Sequence, residues 1–95
     1  MKVYGEAALA RFAKKHAASR KPLQRFVEIA RFAEWPHFPA IKQTFPAADL
    51  GRRMGKVIFD IGGNKYRVIP VVNFEKQALL IEDVLTHEDY SRENL

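Results

Sequence analysis

The sequence predicts an α+β domain in which helices pack on one face of a largely antiparallel sheet. Residues 6–32 repeat apolar side chains with the period of helices, in two segments. Residues 57–85 instead form three apolar runs, and Gly62-Gly63-Asn64 joins the first two as a hairpin turn that tolerates positive φ. Helices followed by a run of strands are typical of the α+β class.

The N-terminal third is predicted to contain a short strand, Lys2–Tyr4, and two helices. From Glu6 to Ala18 a helix carries its apolar face on Leu9, Phe12, Ala13 and His16. Ser19–Pro22 breaks this pattern, and Pro22 suits the first position of a second helix. The buried stripe of the second helix is predicted to be Leu23, Phe26, Val27 and Ala30. Because the connection is short, the two helices should form an antiparallel hairpin.

The next segment, WPHFPAIKQTFPAAD, is interrupted by prolines at positions 36, 39 and 46. Each proline removes a backbone donor and restricts the residue before it, so a long regular element is not expected. Four large side chains are expected to anchor the segment to the core: Trp35, Phe38, Ile41 and Phe45. Asp49–Gly55 is predicted to be a polar loop.

Three strands and a short helix complete the predicted fold. The strands are assigned to residues 57–61, 65–74 and 79–85, with a turn at residues 75–77. Pro70 lies inside the second strand, where proline is confined to edges and bulges, so we expect a local irregularity there. Thr86 suits the N-cap of a last helical turn, and Asp89 has the spacing of a capping box.

The composition is that of one globular domain spanning residues 1–95, with 47% apolar and 28% charged residues. The net charge of +5 is uneven, because residues 1–56 carry 12 Lys and Arg against 4 Asp and Glu, whereas residues 57–95 carry 4 against 7. A basic N-terminal half indicates either a polyanionic partner such as nucleic acid or simply solvated helix faces.

Several patterns are absent from the sequence. It has no cysteine, no signal-peptide pattern at its N-terminus, and no apolar stretch near the roughly 20 residues that a membrane span needs. We therefore expect a cytoplasmic protein without disulfides. The three histidines lack metal-ligand spacing and phosphate-binding glycine motifs are missing, so neither a metal nor a cofactor is expected.

An arginine lies in the middle of the second predicted strand of the meander. Because side chains alternate along a strand, Tyr66 and Val68 share one face and Arg67 lies on the other. A buried, unpaired guanidinium would be very unfavourable. Arg67 is therefore expected either to pair with an acid, Asp60 or Asp83, or to face a concave, solvent-lined surface where its planar fork suits a phosphate.

His87 and Tyr90 follow the third strand, in the motif LTHEDY. Their i, i+3 spacing puts both side chains on one side of a helical turn. An imidazole can transfer protons near neutral pH, and a phenol can donate a hydrogen bond or stack on a base. The structural alternative is that His87 helps to cap the helix and that Tyr90 is a partly buried aromatic residue.

Two motifs resemble those of a known family. FDIGGNKYRVI, followed about seventeen residues later by THEDY, resembles the HigB family of RelE-like toxins from bacterial toxin–antitoxin systems. The segment EWPHFPAIKQTFPAAD is similar to the irregular, Trp-containing linker of that family, and the likeness covers residues 3–92. Pro70 in the strand, and Ser91 where an acidic residue is expected, depart from the family pattern.

The resemblance implies a RelE-like α+β fold and cofactor-independent cleavage of mRNA, usually ribosome-bound. Carried over by motif, the catalytic positions are Arg67, His87 and Tyr90. Nearby candidates for RNA contact are Lys56, Lys65 and Asn64. The implied partners are mRNA, the ribosome, and a HigA-type antitoxin whose helix-turn-helix domain would make the only contact with operator DNA.

The residues alone leave two other functions open. The same side chains could grip RNA or DNA without cutting it, as in a small nucleic-acid-binding module. Alternatively, the basic surface could meet only an acidic protein partner. Discrete breaks in translated messages would distinguish the nuclease from both.

Overall fold

The computed structural model describes residues 1–52 and 55–92, and their secondary structure is α+β. The strands in these residues are β1 (Lys2–Tyr4), β2 (Asp49–Leu50), β3 (Val57–Ile61), β4 (Tyr66–Asn73) and β5 (Ala78–Thr86). The helices are α1 (Glu6–Lys15), α2 (Arg20–Phe32), α3 (Phe38–Thr44) and α4 (His87–Arg92). The predicted order of one strand, two helices, an irregular segment, a three-stranded meander and a short last helix is confirmed.

The strands of the described residues form one sheet in the order β1-β5-β4-β3-β2. The meander β3–β4–β5 pairs antiparallel, and β2 also pairs antiparallel with β3. Within residues 1–52 and 55–92 only the β1–β5 pairing is parallel, with Val3 opposite Leu79. The sheet is therefore mainly antiparallel, as predicted, and the N-terminal strand β1 is the edge strand next to β5.

The helical hairpin differs from the prediction at the connection between its helices. Helix α1 ends at Lys15, and a 3₁₀ turn at Ala17–Ser19 leads directly into α2. The buried Ser19 hydroxyl donates to the His16 carbonyl oxygen at 2.6 Å and stabilises this turn. Since α2 begins at Arg20, the prediction that Pro22 is its first residue is wrong. Proline is tolerated here because N–H groups of a first turn have no intrahelical partner.

The proline-rich segment contains one short helix, α3, and is otherwise irregular. Trp35 and Ile41 lie in the core, and Phe38 and Phe45 pack against it, so the predicted anchors are confirmed. The predicted loop Asp49–Gly55 is partly wrong, because its first two residues pair with β3 as strand β2. Residues 53 and 54 of that loop lie outside the described residues.

The core lies between the helices and one face of the sheet. Ring centroids of Phe26 and Phe59 are 4.8 Å apart, and those of Phe45 and Phe59 are 5.3 Å apart. Tyr66 meets Phe12 of α1 edge to face at 5.8 Å, and Val68 is fully buried. The face that carries Tyr66 and Val68 is therefore the helix-covered face, and Arg67 lies on the opposite face.

Two backbone features fix the meander. Gly62, Gly63 and Asn64 have φ values of 69°, 63° and 75°, so three successive left-handed residues make the β3–β4 turn. Glycine and asparagine adopt this conformation at the lowest cost. The β4–β5 register shifts between Ile69 and Pro70, which confirms the predicted irregularity at the proline.

No helix within residues 1–52 and 55–92 has the length and apolar character needed to cross a bilayer.

Two phenylalanines of α2 test how much of the stability comes from this core. Phe26 is 1% exposed and Phe32 is 91% exposed. Phe26→Ala is expected to lower the free energy of unfolding by about 3–5 kcal/mol, because it removes buried aromatic surface and leaves a cavity. Phe32→Ala, the matched control, should change it by about 0.5 kcal/mol or less. Urea titration followed by far-UV circular dichroism measures both, and equal losses would contradict this core.

Candidate active site

Strand register brings Arg67 and His87 together. Tyr66 lies opposite Thr86, and the backbone N–H of His87 donates to the Lys65 carbonyl oxygen at 2.8 Å, which extends the β4–β5 ladder by one pair. Arg67 lies opposite Leu85, so His87 is its diagonal neighbour on the same face. Diagonal positions are about 7–8 Å apart, a distance that a long side chain spans easily.

The Nη2 atom of Arg67 joins the turn to the last helix. It lies 2.6 Å from the Asn64 Oδ1 atom and 3.1 Å from the His87 Nδ1 atom. Asn64, which has a φ of 75° in the β3–β4 turn, accepts the 2.6 Å bond through its amide oxygen. Both N–H groups of Nη2 therefore have partners within the protein.

The Nη1 atom of Arg67 faces three oxygen atoms. Asp60 Oδ1 lies 3.3 Å away across the hairpin, and the carbonyl oxygens of Asn64 and Tyr66 lie at 3.2 and 3.3 Å. The cross-strand ion pair with Asp60, one of the two expected arrangements, is therefore present. The side chain is not open to a wet surface, since Arg67 is only 7% exposed.

Tyr90 covers the same guanidinium from α4. The Cζ atom of Arg67 lies 5.1 Å from the centroid of the Tyr90 ring, within the range of a cation–π contact. The helix is positioned by Thr86, whose hydroxyl oxygen accepts from the backbone N–H of Asp89 at 3.1 Å. The predicted N-cap is confirmed, but the Asp89 carboxylate turns to Arg92 at 3.6 Å rather than completing a capping box.

The three motif residues thus converge, and their exposure differs. Arg67 is buried, Tyr90 is half-buried and His87 is exposed. The structural alternative is met in part, because Arg67 pairs with Asp60 and Tyr90 is partly buried. The functional expectation is also met in part, because the imidazole and the phenol remain at the surface. Ser91, the departure from the family pattern, donates its hydroxyl to the His87 carbonyl oxygen at 2.9 Å inside α4.

The three residues predicted to contact RNA differ in their exposure and in their partners within the protein. The Nζ atom of Lys56 pairs with Glu82 Oε1 at 2.7 Å. Lys65 is exposed and flanks His87 through the backbone bond described above. Asn64 is exposed, but its amide oxygen is directed at Arg67. Lys65 is consequently the candidate cation that lies beside the cluster.

A groove that motif reasoning did not identify adjoins this cluster. It has a volume of about 380 Å³ and runs between α2 and the β3–β4 turn, with the exposed Lys21 and Arg25 on its rim. The half-buried Phe45 contributes an aromatic ring, Gly62 lines the side formed by the turn, and Asp60 is the lining residue that also contacts Arg67. In the sequence this groove is indicated by Lys21 and Arg25, two cations at i, i+4 spacing that directly precede Pro22 and Phe26.

A helical hairpin on a mainly antiparallel sheet, with a buried arginine beside a histidine and a tyrosine on the last helix, defines a small α+β protein of the RelE-like class. The family model described as HigB_toxin, RelE-like toxic component of a toxin–antitoxin system, matches residues 19–93. The chain belongs to this family.

Similar curated proteins carry names from the same family. The chain is 38% identical over 52 residues to the mRNA interferase toxin HigB of Escherichia coli strain K12. The same identity holds for the mRNA interferase HigB of Escherichia coli O157:H7 and of Shigella flexneri. Each alignment covers 54% of this chain and 50% of the relative, so the chain spans about half the length of the curated relatives it matches.

The burial of Arg67 predicts a large effect on stability. Arg67→Ala would leave Asp60 without its cation and would unpair several oxygen atoms, so we expect a loss of about 3–5 kcal/mol in the free energy of unfolding. Arg92 offers a matched control, because its 70%-exposed side chain pairs with Glu88 at the surface. Arg92→Ala should cost about 1 kcal/mol or less. Similar urea midpoints for the two variants would contradict the buried network.

Proposed function

We propose that this chain is the toxin of a type II toxin–antitoxin system and acts as a metal-independent endoribonuclease on mRNA. Membership of the HigB_toxin family and the names of its curated relatives support this activity. The observation that carries it is the convergence of the Arg67 guanidinium, the His87 imidazole and the Tyr90 ring. We further propose that the protein acts in the cytoplasm, on the translating ribosome.

The proposed reaction is attack of a ribose 2′-oxygen on the adjacent phosphorus. The O2′–P bond forms, the P–O5′ bond breaks, the 2′-hydroxyl loses its proton and the departing 5′-oxygen gains one. Negative charge accumulates on the phosphate during this exchange. A site for this chemistry therefore needs fixed positive charge close to the phosphate and a group that handles protons at its surface.

The roles follow from burial and charge. Arg67 supplies the fixed positive charge, but its terminal N–H groups are bonded within the protein, so it acts from beneath the surface rather than as an open fork. His87 is exposed above it and handles the proton or hydrogen bond at the reacting phosphate. Tyr90 presents a ring and a hydroxyl beside it, suited to orienting the phosphate or stacking on a base.

RNA on either side of the reacting phosphate is proposed to follow the groove rimmed by Lys21 and Arg25. Neither side chain forms an ion pair with a carboxylate of residues 1–52 and 55–92. Cations beside an aromatic ring are typical of surfaces that bind single strands, because phosphates meet the cations while bases stack. Asp60 lines the groove and its carboxylate contacts Arg67, so a strand bound there could pass round the end of β3 to reach the site on the other face of the sheet.

The proposed regulatory partner is a HigA-type antitoxin with a helix-turn-helix domain, which alone would contact operator DNA. Lys65, Lys56 and Asn64 are proposed as secondary contacts to RNA, with Lys65 the most accessible of the three. A non-catalytic nucleic-acid-binding module remains the second candidate, favoured by one observation: the terminal N–H groups of Arg67 are already occupied.

Induced expression tests the proposed activity. The wild-type chain should arrest growth, co-expression of an adjacent helix-turn-helix gene should relieve the arrest, and primer extension should show discrete breaks in translated messages. His87→Ala should lower the cleavage rate by about 10²–10⁴-fold, because it removes the exposed proton-handling group. His37→Ala is the matched control, since His37 is exposed at the N-cap of α3. Its imidazole makes one long bond, which Nδ1 accepts from the backbone N–H of Ala40 at 3.4 Å.

The outcomes separate the two candidate functions. RNA binding without message breaks would identify the non-catalytic module. Breaks that persist in folded His87→Ala protein would remove His87 from the reaction. A second pair distinguishes the hydroxyl of Tyr90 from its ring. Tyr90→Phe removes the hydroxyl and keeps the ring, so it should slow cleavage only if the hydroxyl makes a hydrogen bond to RNA. Tyr4→Phe, at an exposed tyrosine, is the control.

The groove predicts a salt dependence that can be measured without cleavage. Binding of a labelled single-stranded RNA to the His87→Ala protein should weaken with salt, and removing two phosphate contacts should reduce the log–log slope by about 1.4. Lys21→Ala combined with Arg25→Ala should show this reduction. Lys2→Ala combined with Lys76→Ala removes the same charge at the opposite end of the sheet, where β1 meets the β4–β5 turn, and should leave the slope near its original value. Equal reductions of the salt slope in both double variants would contradict the binding of RNA along the groove.

A further inference from the structure

We propose that Asp60 and Asn64 are positioning residues that hold the Arg67 guanidinium against His87 Nδ1, so that the imidazole keeps its proton on Nε2 and meets RNA as a hydrogen-bond donor. This inference rests on the proposed function and assigns His87 its role within it. The evidence is the chain of contacts from Asp60 through Arg67 to the imidazole.

The direction of the Arg67–His87 bond follows from the chemistry of the two groups. A guanidinium carries only donors and has no acceptor. In the 3.1 Å contact, Arg67 Nη2 must therefore donate, and His87 Nδ1 must accept with a free lone pair. The ring proton is then on Nε2, the nitrogen on the far side of the ring. A base acting through Nε2 would need the opposite tautomer, with two N–H groups pointing at each other.

Asp60 and Asn64 hold the guanidinium in the orientation that this bond requires. Asn64 contacts both terminal nitrogens, through Oδ1 at 2.6 Å and through its carbonyl oxygen at 3.2 Å. Asp60 approaches Nη1 from β3 at 3.3 Å, and both side chains of this ion pair are largely shielded from solvent, at 9% and 19% exposure. Since the plane of the guanidinium is fixed on two sides, the Nη2 edge is directed at His87.

The consequence for the reaction is a division of tasks. A donor at His87 Nε2 stabilises the charge that develops on a phosphate oxygen or on the departing 5′-oxygen. Removal of the 2′-hydroxyl proton then falls to water, which also supplies the proton that the departing 5′-oxygen gains, since the neutral imidazole donates a hydrogen bond there and keeps its own proton. The positive charge of Arg67 acts through the imidazole, which it polarises, without contacting the phosphate itself.

The first arm of the test reads the tautomer directly, with no RNA present. Long-range ¹H–¹⁵N correlation spectra of the ¹⁵N-labelled chain assign the protonated ring nitrogen of His87. The expected result for the wild type is a single form protonated on Nε2. Asp60→Asn keeps an oxygen acceptor facing Nη1 and should preserve this form, whereas Asp60→Ala should give a mixture of tautomers. Asn64→Gly, which retains the left-handed turn, should also give a mixture.

The second arm reads the role of His87 in cleavage. The amide nitrogen of glutamine lies near the position of Nε2 and can donate but cannot accept a proton. His87→Gln should therefore cleave at least about tenfold faster than His87→Ala if a donor is needed, since single donors of this kind contribute about 10²–10³-fold. A base could not be replaced in this way, so equal rates for the two variants would overturn the proposal.

The two arms distinguish the inference from the function on which it rests. Wild-type protein that cuts no message defeats the proposed function, while the tautomer of His87 is still measured. A wild-type spectrum with the proton on Nδ1, or an unchanged tautomer in both Asp60→Ala and Asn64→Gly, overturns the positioning role even if cleavage is normal. Urea titration of each variant confirms that it is folded in the spectra that are compared.

Discussion

The buried guanidinium of Arg67 is the interaction on which the rest of the site depends. A cation removed from water is stable only when its donors are satisfied. Here the acceptors come from β3, from the β3–β4 turn, from β4 itself and from the first residue of α4. One side chain thus ties the hairpin to the last helix, and the position of His87 and Tyr90 follows from that tie.

The sheet separates the tasks of folding and function. Its helix-covered face is apolar, with Phe59, Val68 and Leu79 fully buried, and needs no polar group. The alternation of β4 sends Arg67 to the other face, where the last strand gives way to α4. The register shift at Pro70 lies further along β4, so the irregularity does not disturb the ladder that joins Lys65 to His87. Helix α2 adds positive potential beside the same turn, because Lys21 and Arg25 line a groove together with Gly62.

Much of the fold was predictable because its signals are local. Helical spacing around Leu23 and Phe26, the glycine turn at Gly62, and proline within a strand each act over a few residues. One misassigned part depends on a distant partner and the other on a buried local turn. Strand β2 has two residues and no pattern of its own, since it exists through pairing with Val57 and Ile58. The start of α2 at Arg20 depends on the buried Ser19 turn, which the sequence presents only as a break.

The sequence by itself determined which side chains were available and on which face of a strand or turn each would lie. It could not decide between an ion pair and an open surface for Arg67, because that depends on distances between residues 7 and 20 positions apart in the chain. Tertiary structure decided that Asp60, Asn64 and His87 surround one cation together. The physical reason is that periodicity is a property of neighbouring residues, whereas the hydrogen-bond partners of a buried charge are fixed only when separate elements pack.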